Sequence, residues 1–201
     1  MKLIGITGGS GVGKSTLCYS LMDANPQMIS VLHLDDYQKL KTEKNLPMHK
    51  GKVNWDHPNI IDWDKLHRDI QQLQSGHSIT LKSWSHRDNP DYHNHRNMMD
   101  ILIDARPIIL LEGYLSLYKN IFDILDYTIF LDLDYETRIK RRKKFMNPVY
   151  EQEVLIPMHQ QFVEPTKTNA DIVLDVSDTN QNDVYIFMRD SINETLNINL
   201  K

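Results

Sequence analysis

The chain has one cysteine in 201 residues, Cys18, so no internal disulfide staples it and a reducing compartment suits it. It also lacks a long apolar run, since none approaches the roughly 18 residues that a membrane-crossing helix needs. Positive charge is not in excess. Lys and Arg number 23 against 27 Asp and Glu, a net charge of −4, which gives no global reason to bind nucleic acid or an anionic membrane. No leader pattern opens the sequence, because Met1 runs straight into an apolar stretch. The expected location is cytoplasmic, with neither nucleic acid nor membrane as partner. What remains is ordinary for a globular protein, with 25% charged and 40% apolar residues. A length of 201 residues suits a single domain over 1–201.

What the chain does have is concentrated near its start. Gly8-Gly9-Ser10-Gly11-Val12-Gly13-Lys14-Ser15-Thr16 fits G-x-x-x-x-G-K-[ST]. Lys2 to Thr7 before it reads as a buried strand, and Thr16 to Met22 after it as a helix that stops near Asn25-Pro26. A phosphate cradle needs this order. Glycines let backbone N–H groups turn inward on phosphate oxygens, and the helix N-terminus adds its positive dipole end. Gly8, Ser10, Gly11, Gly13, Ser15 and Thr16 are therefore candidate contacts to a nucleoside triphosphate. Lys14 would reach its β- and γ-phosphates, and the Ser15 hydroxyl would ligate Mg²⁺. A glycine-rich turn with a chance lysine is the alternative, and it leaves the agreement of strand, loop and helix unexplained. Cys18, inside this helix, reads as a core residue.

Ile29 to Leu34 reads as a second strand that delivers Asp35-Asp36 to its C-terminal end. In open parallel sheets ligands bind in the crevice beyond the C-terminal ends of the strands. Asp35 is expected to face the phosphate loop there, although a helix-capping aspartate looks the same in sequence. Lys39 to Lys52 is polar and carries Pro47 and Gly51, as a loop does. Trp55-Asp56 then precedes a helix from Asp62 to Gln74. Exposed, the pair would offer a stacking face and an acceptor for sugar hydroxyls; a core anchor and a cap are the other reading. The apolar run Pro107 to Leu111 suits a central parallel strand and places Glu112 where a phosphate-loop enzyme keeps its metal-associated carboxylate. Glu112 could instead cap a short helix. Tyr127 to Leu131 and Ala170 to Leu174 complete five strands, and a last helix spans about Asn182 to Leu196.

Ser78 to Trp84 alternates like a half-buried strand, and Met98 to Asp104 can return as its partner. This gives a small antiparallel hairpin insert over about 78–105, of the sort that forms substrate pockets. His86, His93 and His95 lie between the two, but their spacing matches no zinc pattern. From Glu136 to Lys144 six of nine residues are basic. A solvated helix face, a nucleic-acid patch and a lid whose arginines close on transferring phosphates all fit such a run. Its place after a strand favours the lid, over about 136–150, since a nucleic-acid surface would be broader and carry aromatic platforms.

Taken in order, the glycine loop, Leu34-Asp35-Asp36-Tyr37, Trp55-Asp56-His57-Pro58, Leu111-Glu112-Gly113-Tyr114, Arg138-x-x-Arg141-Arg142 and Glu164-Pro165-Thr166-Lys167-x-x-Ala170-Asp171 resemble the uridine kinase and phosphoribulokinase superfamily of P-loop kinases. The resemblance spans nearly the whole chain. Asp-His-Pro is similar to uridine/cytidine kinases, whereas Asp-Asp-aromatic and Pro157-Met158 are similar to nicotinamide riboside kinases. The resemblance implies an α/β P-loop NTPase fold, a five-stranded parallel sheet flanked by helices, with ATP and Mg²⁺ as cofactors. It implies transfer of the γ-phosphoryl group to a nucleoside 5′-hydroxyl, with uridine or cytidine foremost. Nicotinamide riboside, pantothenate or a sugar are the alternatives.

By motif position, Asp35 would accept the hydroxyl proton and Asp56 would hold the ribose hydroxyls. Lys14, Arg138 and Arg142 would act on the transferring group, Arg141 on the nucleotide, and Ser15 and Glu112 on the metal. Asp35, Tyr37, Trp55, Asp56, Trp84 and Arg138 would form the acceptor side. The sequence departs from the uridine kinase pattern at Tyr37-Gln38, where Phe-Tyr is usual. It departs again at Lys82-Ser83-Trp84-Ser85-His86-Arg87, which stands in place of a base-reading Tyr-Asp-Phe…His-Ser-Arg run. Self-association into a homo-oligomer is left open. A GTPase switch is the rival of another class, but the chain has neither Asp-x-x-Gly after the central strand nor Asn-Lys-x-Asp before the last helices.

Overall fold

The computed structural model describes residues 1–83, 87, 98–142 and 147–201. β1 (Lys2–Gly8) runs into the glycine loop and α1 (Lys14–Ala24) leaves it. β2 (Ile29–His33) ends one residue before its apolar run does, because Leu34–Tyr37 forms a single 3₁₀ turn. That turn carries Asp35 and Asp36 off the end of the sheet. A small hairpin, β3 (Met48–His49) with β4 (Lys52–Val53), is built into the stretch that reads as loop. Its connecting residues, Lys50 and Gly51, both have positive φ, as a two-residue I′-type connection requires.

Asp62 caps α2 (Trp63–Gln74) by accepting from the Lys65 N–H at 2.9 Å. β5 (Ile79–Ser83) and β6 (Met99–Ile103) pair antiparallel, with Ile79 opposite Ile103. β7 (Ile108–Glu112), α3 (Lys119–Phe122), β8 (Tyr127–Asp132) and α4 (Tyr135–Arg142) follow. Next comes a helical run over residues 148–163. It joins α5 (Pro148–Tyr150), a π turn (Glu151–Leu155), α6 (Ile156–Met158) and a second π turn (His159–Val163). β9 (Ile172–Asp175) and α7 (Gln181–Leu196) come last.

The main sheet is parallel, in the order β2-β7-β1-β8-β9. Its central strands are covered on both faces, which is why they read as continuous apolar runs rather than alternating ones. Leu3, Leu32, Ile109, Leu111 and Phe130 share one layer with Leu66, Ile70 and Leu73 of α2 and with the β5–β6 hairpin. Ile4, Ile6, Val31, Leu110 and Ile129 share the other with Leu17, Cys18 and Leu21 of α1 and with Val184, Met188 and Ile192 of α7. The chain leaves β1 toward β2 on one side and β7 toward β8 on the other. A crevice therefore opens beyond the carboxyl ends of these two neighbours. Among the described residues no helix is long and apolar enough to cross a membrane.

Leu110 has no exposed surface and sits in β7, between β1 and β2. Leu110→Ala should cost about 2–5 kcal/mol, read as a lower urea midpoint with an unchanged slope. A midpoint that stays in place would mean that this layer repacks without loss.

Candidate active site

The glycine loop is shaped by what cannot fit in it. Gly13 enters α1 at φ 103, a left-handed backbone that suits glycine. A Cβ at Gly8 would fall 2.3 Å from the Leu131 carbonyl oxygen, and one at Gly9 would fall 1.8 Å from Arg138 Nη1. The basic helix α4 thus lays an arginine directly on the loop. Arg138 is only 7% exposed, and its Nε donates to the Leu133 carbonyl at 3.1 Å. Lys14 folds back from α1 to donate to the carbonyls of Gly8 (2.9 Å) and Gly9 (3.3 Å). Burial lowers the Lys14 pKa, and the charges of Glu112 and Asp35 oppose that shift.

Two carboxylates, Glu112 and Asp35, lie beside this cation. Glu112 ends β7 opposite His33, which ends β2. One oxygen of Glu112, Oε1, takes the Ser15 hydroxyl at 2.9 Å and His33 Nδ1 at 2.5 Å, while His33 Nε2 meets the Tyr19 hydroxyl at 2.6 Å. Burial would raise the Glu112 pKa, but the bond to His33 and the charges of His33 and Lys14 outweigh it and hold the carboxyl low. For His33, burial works downward and the Glu112 bond and charge prevail, leaving it raised. Asp35 is pushed up to about 6, first by burial and then by the charge of Glu112, with Lys14 pulling the other way. Ser15 and Glu112 supply the hard oxygen donors that suit Mg²⁺, a cation that keeps several waters and takes phosphate oxygens besides. Among the described residues no group of three or more His, Cys, Asp or Glu is arranged to hold a metal.

Across the crevice the Trp55–Asp56 segment is pinned from several sides. Tyr114 donates its hydroxyl to the Trp55 carbonyl at 3.0 Å, and Asn54 Oδ1 accepts the Asp56 N–H at 3.1 Å. Tyr150 donates to Asp56 Oδ2 at 2.6 Å. Both residues are half-buried rather than exposed. Trp55 packs on the core and also borders the cavity.

These parts enclose one cavity of about 600 Å³. It brings together Ser10, Gly11, Gly13, Lys14, Ser15, Thr16, Asp35, Trp55, Asp56, Glu112 and Arg138, all expected at the site from sequence. Gly8 contributes its carbonyl to Lys14 from behind. Tyr37 does not line the cavity. It is 1% exposed in the core, with Lys65 Nζ 4.5 Å from its ring centre, because the 3₁₀ turn that aims Asp35 at the crevice directs Tyr37 inward. Gln38, the residue after it, lines the cavity instead. Trp84, His86, His93 and His95 lie outside the described residues. Arg141 and Arg142 fall in α4, with their side chains outside what is described.

Sequence reasoning missed the wall formed by Leu155, Met158, His159 and Val163, and it gave His33 no role. An apolar strand ending in a lone histidine beside a carboxylate is the one signal that could have singled out His33. The wall gave a weaker one, because two π turns and Pro157 interrupt the helical period there.

Comparison with known proteins agrees with this geometry. Residues 3–183 match the Phosphoribulokinase / Uridine kinase family. The uridine kinase of Clostridium tetani is 35% identical over 188 residues, covering 86% of this chain and 85% of that protein. The uridine kinase of Halobacterium salinarum is 31% identical over 183 residues, covering 85% and 78%. Two solved structures share the fold. One is described as a possible uridine kinase from Bacillus stearothermophilus (TM-score 0.61, 20% identity, covering 87% of this chain and 88% of that one). The other is the phosphoribulokinase from Rhodobacter spheroides (TM-score 0.61, 14% identity, covering 87% and 69%). The fold is therefore that of a P-loop kinase, an α/β nucleotide-binding transferase. The chain belongs to the phosphoribulokinase / uridine kinase family, whose chemistry is phosphoryl transfer to an alcohol.

His159 gives the site a pH signature. Its pKa is pushed down to about 4, first by burial and then by the positive charges of Arg138 and Lys14. Glu164 lies 3.2 Å from its Nε2 but is half exposed, so solvent screens that contact and burial prevails. An unfolded histidine titrates near 6.5, so between these values the unfolded chain binds more protons. The His159 contribution is full above pH 6.5 and declines as pH falls toward about 4. Denaturant titrations should show that decline, and His159→Gln should flatten it. Parallel curves for the two proteins would refute the assignment.

Proposed function

We propose that this chain is an ATP-dependent nucleoside kinase that transfers the γ-phosphoryl group to the 5′-hydroxyl of uridine or cytidine. The observation that carries this reading is Asp35. It is a carboxylate whose pKa is raised to about 6, in the cavity that also contains the phosphate-loop lysine and Asp56. The uridine kinases at 31–35% identity support the nucleoside as acceptor.

Phosphoryl transfer asks for positioning and charge compensation more than for covalent chemistry. Asp56 would orient the sugar by accepting its vicinal hydroxyls, with Trp55 as the apolar wall beside them. Asp35 would accept the 5′-hydroxyl proton as that oxygen attacks. A base with a pKa of about 6 is largely ionised at neutral pH yet still basic enough to take the proton. Lys14 and Arg138 offset the charge that builds on the transferring group. Leu155, Met158 and Val163 keep water from competing with the acceptor. ATP with Mg²⁺, held by the glycine loop, Ser15 and Glu112, would supply the phosphoryl group and a counter-charge.

Turnover should be measured against uridine, cytidine, nicotinamide riboside, adenosine, pantothenate and simple sugars. Uridine or cytidine should dominate, and activity confined to another compound would replace the acceptor named here. The base assignment has its own test. Asp35→Asn should lower kcat by roughly 10²–10⁴-fold while leaving the affinity for an ATP analogue within about twofold. In the wild type kcat/KM for the nucleoside should rise with pH through one inflection at about 6, because the base must be ionised. A variant that keeps most of its rate would sink the role of Asp35.

A further inference from the structure

The helical run over 148–163 does more than wall the cavity, because it also grips the acceptor side. Asn147 starts it by accepting the N–H groups of Val149 (3.0 Å) and Tyr150 (3.4 Å). This fixes Tyr150 on the first turn. Its hydroxyl donates to Asp56 Oδ2 at 2.6 Å and accepts the Trp55 N–H at 3.1 Å, a donor-and-acceptor use that a phenol can satisfy with one oxygen. Further along, Glu153 accepts from Lys50 Nζ at 2.5 Å, and Asn54 Nδ2 reaches Met158 Sδ at 3.3 Å. The other end of this assembly rests on the phosphate loop. Tyr135, at the start of α4, donates its hydroxyl to Glu151, and Arg138, on the same helix, covers Gly9.

α4 thus touches the nucleotide side through Arg138, the run over 148–163 touches the acceptor side through Tyr150, and the Tyr135–Glu151 contact joins the two. We propose that Tyr150 is a positioning residue that couples the two substrates, so that acceptor and nucleoside triphosphate bind with positive cooperativity. The identity of the acceptor rests on the nucleoside-kinase reading above; the coupling rests on the contacts just described. With one carboxylate oxygen of Asp56 fixed by the Tyr150 hydroxyl, the plane of the group is set for the acceptor. An acceptor that fixes Asp56 in turn holds Tyr150, and with it, through the Glu151–Tyr135 contact, the helix that carries Arg138. The cost of fixing these contacts is then met once for both ligands, and linkage makes the effect reciprocal.

The test uses the whole protein, uridine and a non-hydrolysable ATP analogue, followed by titration calorimetry. In the wild type the analogue should tighten uridine binding by about 5–150-fold, the usual range of coupling. Tyr150→Phe keeps the ring and removes only the hydroxyl that meets Asp56 and Trp55. In that variant the factor should fall to about one while the analogue alone binds as before. A merely structural Tyr150 would weaken both ligands and leave the factor in place, which would overturn the proposal.

A second measurement needs no acceptor. Tyr150→Phe, Asp56→Asn and the double variant are compared by thermal unfolding. The two substitutions should be non-additive, and additivity would overturn the latch. If uridine does not bind, the nucleoside reading fails, and this cycle still decides whether Tyr150 holds Asp56.

Discussion

A single carboxylate oxygen ties together the three elements that make the crevice. Glu112 Oε1, at the end of β7, receives His33 from the end of β2 and Ser15 from the first turn of α1. The neighbouring strand ends are thereby locked in register, and the phosphate loop is locked to both. Burying this much charge would be costly if any member stood alone. Here each is compensated: Glu112 by His33 and Lys14, Lys14 by two carbonyls of its own loop. Asp35 is the group left with the least compensation, and its raised pKa follows from that. Desolvation in the crevice comes first among its causes, and the negative charge of Glu112 second.

Much of the sheet was legible because parallel strands buried on both faces leave continuous apolar runs. The boundaries of β1, β7 and β8 follow those runs closely, and the strand-loop-helix order around Lys14 needed no tertiary information. Positions at strand ends were also readable in kind, since Asp35 and Glu112 follow apolar runs into a crevice whose place the topology dictates. Which way a side chain turns after the strand ends was not readable. Asp35 and Tyr37 are two residues apart on one 3₁₀ turn, and only backbone geometry separates the crevice from the core.

The missing wall has a different cause. Residues 148–163 are helical, but π turns add a residue to each affected turn and shift the apolar face between them. A period of 3.6 does not persist there, so Leu155, Met158 and Val163 do not announce one face. Long-range contacts were invisible for a plainer reason. Nothing local connects Tyr150 with Asp56 or His33 with Glu112, each pair being joined only by the fold.

The place of β1 in the sheet bears on how the protein is made. The strand lies between β7 and β8, pairing Lys2 with Ile108 and Ile4 with Tyr127. Both of its partners come from far later in the chain. Until residue 108 has emerged, an apolar strand with both edges open must wait for partners that do not yet exist. Contacts so distant in sequence slow folding and leave such edges available to other chains. The phosphate loop shares this delay, because its upstream end hangs on that same strand. Nucleotide binding therefore becomes available only once the sheet's centre has closed, which makes the ligand a reporter of finished folding and a helper only at its last step.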